Sequence, residues 1–244
     1  MKNLDNNLIF EQAAQKAGIH SPFLARLLAL YPNLLADMKE HSADLTYAKF
    51  IKELTELVKQ ELEQSALMRE LRIAKGKLAL LTALADISEI WQLEKVTAAL
   101  SDFAEQCLVT TINHLLLAAS KRGDIEHAHT NGSGIIVLAM GKLGGRELNY
   151  SSDIDLILFY EPNKLGYKGR HNEQHFMNKL AHDLVSVMQD RTSDGYVFRT
   201  DLRLRPDPAS TPPAVTVDTA YYYYESVGQN WERAAMIKSR PLKH

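Results

Sequence analysis

The hydrophobic period of this 244-residue chain changes once, near residue 120, and that switch constrains the fold more than any other feature. Before it, strong helix formers dominate from Asp44 to about Ala85. Leu54, Leu57, Val58 and Leu62, then Leu67, Leu71 and Leu78, recur at the spacing of one helical stripe. A second helical run from about Ser88 to Ser120 puts Val96, Leu100, Phe103, Cys107 and Leu108 on one face. Pro22 and Pro32 suit the first turns of short helices. After Lys121-Arg122-Gly123-Asp124 and the turn-rich Asn131-Gly132-Ser133-Gly134, short apolar runs take over. Residues 135–140 and 153–160 read as buried strands, and Glu173 to Asp190 as an amphipathic helix with Phe176, Leu180, Leu184 and Met188 on its stripe. Tyr196 to Leu204 alternates like a strand, and Asp218 reads as the N-cap of a helix whose stripe includes Tyr224 and Trp231. The expectation is an α+β chain, with a helical region over 1–122 and a small sheet flanked by helices over 130–244.

Composition narrows the function. With 28 Lys+Arg against 30 Asp+Glu the net charge is -2, which excludes nucleic-acid binding by bulk charge. A hydrophobic fraction of 45% excludes a disordered chain. The lone Cys107 excludes an internal disulfide and suits a reducing compartment. No apolar run approaches the roughly 18 residues of a membrane span, and the polar start is no signal peptide, so no membrane is expected and the cytoplasm is the expected location.

Residues 140–159, MGKLGGRELNYSSDIDLILF, carry the chemistry. Alternate strand residues share a face, so Asp153 and Asp155 project together while Ile154 points into the core. Two adjacent carboxylates repel unless a cation neutralises them, and hard oxygen ligands favour Mg2+ or Mn2+. Gly144-Gly145 allows positive φ and close approach of a phosphate to backbone N–H groups. A helical turn from Arg146 would add to that anion site. Ser151 and Ser152 either donate hydroxyls to phosphates or cap the turn. Asp201, expected on a neighbouring strand face with Arg199 and Arg203, is a candidate third acid. The two arginines either hold phosphate oxygens or form an ion-pair ladder with it. His171-x3-His175 has zinc-like spacing without a third ligand and reads as solvated, and Tyr221 to Tyr224 reads as a helix run of mixed orientation.

The diglycine loop, Asp-x-Asp and later strand Asp resemble the nucleotidyltransferase superfamily with a DNA polymerase β-like fold. More specifically, GKLGGRELNYSSDIDLILFY, DGYVFRTDLRLRPD and YYYYESVGQNWERAAMIKSRP resemble the glutamine synthetase adenylyltransferase family. The resemblance covers roughly 130–241 closely and the helical half more loosely. Members of that family are bifunctional regulators of nitrogen assimilation, with two nucleotidyltransferase domains in tandem. The first removes AMP from glutamine synthetase and the second adds it.

The chain holds one such unit behind a helical leader, so the resemblance implies the N-terminal, AMP-removing half, without the family's later portions. It also implies that Asp153, Asp155 and Asp201 hold two divalent ions, about 3.5–4 Å apart as in two-metal sites. Inorganic phosphate would attack the phosphorus of a tyrosyl-AMP ester, giving ADP and unmodified enzyme. Glutamine synthetase, a PII signal protein, ATP, ADP and phosphate are the implied partners. Two other readings stay open: ATP-dependent adenylylation or another nucleotidyl transfer by the same acids, and a non-catalytic module that binds glutamine synthetase.

Overall fold

The structure is a computed structural model and describes residues 2–243. Its first half is helical: α1 (Lys2–His20), α2 (Pro22–Leu30), α3 (Pro32–His41), α4 (Ala43–Glu56), α5 (Gln64–Ile87) and α6 (Leu93–Lys121). Pro22 and Pro32 each open a helix, where the missing N–H costs nothing. Ser21 accepts from Leu24 N at 3.3 Å and Ser42 from Leu45 N at 3.5 Å, capping α2 and α4.

The stripe expected to run from Asp44 to Ala85 is broken. A 3₁₀ turn at Leu57–Gln60 and a left-handed Glu61 end the first part. The break lets Phe50 and Leu54 of α4 and Leu67, Leu71 and Leu78 of α5 all bury in one core. The second run likewise begins later than its composition suggests, at Leu93, because a turn through Glu89 tucks Trp91 inside. Its expected face holds: Val96, Leu100, Phe103, Cys107 and Leu108 are all buried.

The second half builds a five-stranded mixed sheet. β1 (Ile135–Ala139) pairs antiparallel with β2 (Ile154–Tyr160), in register from Ile135–Tyr160 to Ala139–Leu156. β3 (Thr200–Asp201) and β4 (Ala214–Thr216) both run parallel to β2, β3 at its start and β4 at its end. β5 (Arg240–Pro241) pairs antiparallel with the far edge of β1. The helical turn α7 (Gly141–Gly144) joins β1 to the loop before β2; α8 (Glu173–Gln189), α9 (Val217–Ser226) and α10 (Asn230–Met236) complete the unit. The α+β class expected from the sequence, with a small mixed sheet flanked by helices, is what the structure shows.

Both faces of β2 are covered, which explains its nearly unbroken apolar sequence. Ile154, Leu156, Leu158 and Tyr160 join the main core, which continues into α5, α6 and α8. Ile157 and Phe159 face a smaller cluster with Val215, Ala220 and Met140. Asp155 belongs to this second set, so the strand's alternation puts its carboxylate on the face away from the main core.

Three further expectations are corrected. The strand over Tyr196–Leu204 shrinks to two residues. Val197 and Phe198 both donate to Met188 O at the end of α8, so both bury and the alternation is lost. Thr216, not Asp218, caps α9, accepting from Thr219 N at 3.2 Å, because Thr216 is the residue with extended backbone before the helix. Trp231 is 55% exposed and forms no packing stripe with the half-buried Tyr224. The capping box of α10, formed by the exposed Gln229 and by Glu232, turns Glu232 inward instead, and Glu232 buries while accepting from Tyr223 Oη.

Two ion pairs tie the helical half to the sheet. Arg240 of β5 pairs with Glu105 of α6 and donates to the carbonyls of Leu143 and Gly144, both at 3.3 Å. Arg146, which is left-handed and ends α7, pairs with Asp102 of α6 at 2.7 Å.

Candidate active site

Parallel pairing of β2 and β3 sets Asp155 directly opposite Asp201. Asp153 stands two residues upstream, exposed, just before β2 begins. Their environments diverge. Arg203 folds back over Asp201, its N–H donating to Oδ1 at 2.8 Å and its guanidinium to both oxygens, which holds the carboxyl below its usual range. Arg199 pairs with Asp153 and also donates to Ser151 O at 3.2 Å. No hydrogen bond or ion pair engages the carboxylate of Asp155 among the described residues. Partial burial, then the fields of Asp201 and Asp153, push its pKa up.

A carboxyl raised in the folded state is stabilising while protonated, and that contribution is lost as the pH climbs through the raised pKa. Asp155→Asn should therefore raise the melting temperature of the metal-free chain at about pH 7, with the difference closing by about pH 3, below the ordinary carboxylate pKa. Thermal melts of both proteins at the two pH values check this, and a variant that melts lower at neutral pH contradicts it.

The glycine that meets the acid is Gly141. Its φ is +53°, and a Cβ there would lie 3.0 Å from Asp155 Oδ2. Gly144 and Gly145 behave differently from expectation, since neither has positive φ. Gly144 is buried with the Lys238 and Ala139 carbonyls packed against its Cα, while Gly145 is exposed. The helical turn begins at Gly141 and is over by Arg146, so no helix starts there. Of the two serines, Ser152 closes the turn, donating to Asn149 Oδ1 at 2.7 Å; Ser151 is exposed.

An open cleft of about 480 Å3 lies beside the acids, lined by Asp153, Arg199, Asp201, Arg203, His182 and Arg205 among others. The last two escaped the sequence reading. His182 is an exposed position on α8 that no spacing marks. Arg205 lies two residues beyond Arg203 and clamps the following proline-rich loop through the Leu202, Pro208 and Thr211 carbonyls. His171 and His175 lie with ring centroids 4.7 Å apart and line a different cavity.

The donor set suits a hard divalent cation: three carboxylates, one of them without a cationic partner. As they stand, no three His, Cys, Asp or Glu side chains among the described residues are grouped closely enough to hold one. Arg199 and Arg203 draw Asp153 and Asp201 towards themselves, and both arginines are exposed and can swing away.

Residues 12–244 match the sequence model of the family described as glutamate-ammonia ligase adenylyltransferase. The chain belongs to this family. Similar proteins include one from Rhizobium meliloti strain 1021, 44% identical over 90% of this chain and 24% of its own length. One from Agrobacterium fabrum is 50% identical over 73% of this chain and 18% of its own, and one from Caulobacter vibrioides 48% over 76% and 19%. All three are named bifunctional glutamine synthetase adenylyltransferase/adenylyl-removing enzymes. This chain thus spans about a quarter or less of those glutamate-ammonia ligase adenylyltransferase relatives. Within the described residues, no helix is long and apolar enough to cross a membrane.

Proposed function

We propose that this chain is a nucleotidyl-transfer unit that removes AMP from an adenylylated tyrosine of glutamine synthetase by phosphorolysis. The observation that carries the reading is Asp155 facing Asp201 across two parallel strands, with Asp153 beside them and no cation on Asp155. A crowded set of acids is unfavourable by itself and suits a site whose ligand brings positive charge. Mg2+ or Mn2+, in one or two copies held by Asp155, Asp201 and Asp153, supplies charge neutralisation for phosphate oxygens.

The chain's own residues do the rest. Arg199 and Arg203, exposed at the cleft, exchange their carboxylate partners for phosphate oxygens, for which their planar forks are suited. Gly141 leaves room beside Asp155 that any side chain would fill, and Ser151 and Gly145 are exposed and free to meet a phosphate. An oxygen of inorganic phosphate attacks the AMP phosphorus, the bond from phosphorus to the tyrosine oxygen breaks, and that oxygen takes a proton from solvent. ADP and unmodified tyrosine result. Positioning and electrostatics carry such a transfer. Glutamine synthetase and a PII signal protein are the protein partners of this reading, and the buried, unpaired Cys107 suits the reducing cytoplasm.

The test is incubation with adenylylated glutamine synthetase, phosphate and Mg2+, with ADP as the readout, beside a parallel run with unmodified enzyme and ATP. ADP in the first and no pyrophosphate in the second is the expected result. Pyrophosphate release alone assigns the opposite direction, and binding of glutamine synthetase without either product assigns a non-catalytic module.

A further inference from the structure

The strand that carries Asp201 is two residues long, too short to set its own position. It joins β2 through few bonds, among them Ile154 N to Arg199 O at 2.9 Å. The approach to it, residues 190–198, is gripped from α5, far away in sequence. Arg72 is 3% exposed and donates from Nε to Gly195 O at 2.9 Å and from Nη2 to Asp190 O at 2.6 Å. Its remaining nitrogen, Nη1, reaches Met68 O at 2.8 Å within its own helix. Three hydrogen bonds are thus made by a guanidinium that reaches carbonyls and no carboxylate. One helical turn on, Lys75 Nζ donates to Val197 O and lies 3.6 Å above the Phe198 ring.

Both cations sit among Leu71, Ala74 and Leu78, where apolar side chains would pack at lower cost. Burial pulls the Lys75 ammonium down to about 8, a measure of the desolvation it bears. Neither cation forms an ion pair among the described residues, although the fields of Asp190 and Asp194 favour the charged Arg72, so stability alone gives little reason to keep both here. What they do share is a set of carbonyls on one segment, the one that ends at Arg199, Thr200 and Asp201.

We infer that Arg72 and Lys75 are positioning residues of the helical half, which fix the path of residues 190–199 so that Asp201 stands opposite Asp155. The helical region is then part of the site's machinery and not only a neighbouring bundle. The consequence for turnover rests on the nucleotidyl-transfer reading above; the consequence for the strand does not.

The test uses the full chain with Lys75→Met, Lys75→Arg and Arg72→Lys. Backbone amide exchange is read at Ile154 and residues 197–201, alongside thermal melting and, with adenylylated glutamine synthetase, kcat and KM. Lys75→Met should melt within about 4 °C of wild type. Its exchange at Ile154 and Thr200 should quicken about tenfold, the scale of one lost hydrogen bond to a charged group. A kcat lowered by a similar factor with KM unchanged, and recovery of both readouts in Lys75→Arg, complete the expected pattern. Arg72→Lys, which keeps the charge but loses the fork, should quicken exchange over 190–198, and it decides the matter if Lys75→Met does not fold. Wild-type exchange at Ile154 and 197–201 in the folded variants overturns the inference. A wild-type chain without turnover would sink the nucleotidyl-transfer reading, while the exchange data would still decide the positioning role.

Discussion

Asp155→Asn should lower ADP formation from adenylylated glutamine synthetase and phosphate by about 10³-fold, the upper scale for removing one group aimed at reacting charge. The substitution keeps size and shape and removes only the charge. Nothing else in the protein leans on that carboxylate: no hydrogen bond or ion pair engages it among the described residues, and the neighbouring acids already oppose its ionisation. Loss of turnover with an unchanged or higher melting temperature therefore separates a ligand-holding role from a structural one. An acid that served the fold would show the reverse pattern, with a lower melting temperature and residual activity. Steady-state kinetics at saturating phosphate and Mg2+, beside a thermal melt, distinguish the two. Wild-type turnover in the variant contradicts the site assignment.

Gly144→Ala should be the most damaging single-methyl change in the loop. A Cβ at this position would lie 1.7 Å from Lys238 O and 2.6 Å from Ala139 O. Both are backbone atoms, one at the exit of β1 and the other in the segment leading to β5, so neither can rotate aside. The Lys238 segment is itself fixed by Arg240, which holds Glu105 and the α7 carbonyls. Relief requires pulling β5 from the sheet edge, and a loss of about 3 kcal/mol or more is expected, at or beyond the usual range for overpacking. The adjacent Gly145→Ala is the control. Its nearest neighbours are the flexible ends of Glu147 and Lys238 at 3.3–3.4 Å, and its cost should stay within about 0.5 kcal/mol. Denaturant unfolding of both variants checks the pair, and equal costs would contradict the packing described for Gly144. The diglycine is thus asymmetric: one residue is dictated by a backbone crossing, and the other faces the solvent.

Much of the second half was legible because its elements carry their own signal. β2 is buried on both sides, β1 on one side with the other half-buried, so both read as apolar runs, and α8 has a clean four-residue stripe. The strands that escaped notice, β4 and β5, are three and two residues long and exist only because a partner edge accepts them. The Tyr196–Leu204 alternation misled for a related reason. A tight turn at Thr192–Gly195 and two amides bound to one carbonyl outweigh local pattern, so Val197 and Phe198 point inward in succession. In the site, alternation placed Asp155 correctly on the strand face away from the main core, since two-residue periodicity is a property of the backbone. The pairing of Arg203 with Asp201 was not legible in detail, because it depends on the chain turning back immediately after the acid. Arg72 and Lys75 left no trace at all: on a helix rich in Lys and Arg, two cations that turn inward look like those that turn out.

The most direct measurement is a Mn2+ titration of the wild-type chain and of Asp155→Asn, followed by electron paramagnetic resonance of the free ion. Saturable binding to the wild type, weakened at least about tenfold by loss of a carboxylate ligand, is the predicted result. Equal affinity in the two proteins would show that Asp155, Asp201 and Asp153 do not share a cation.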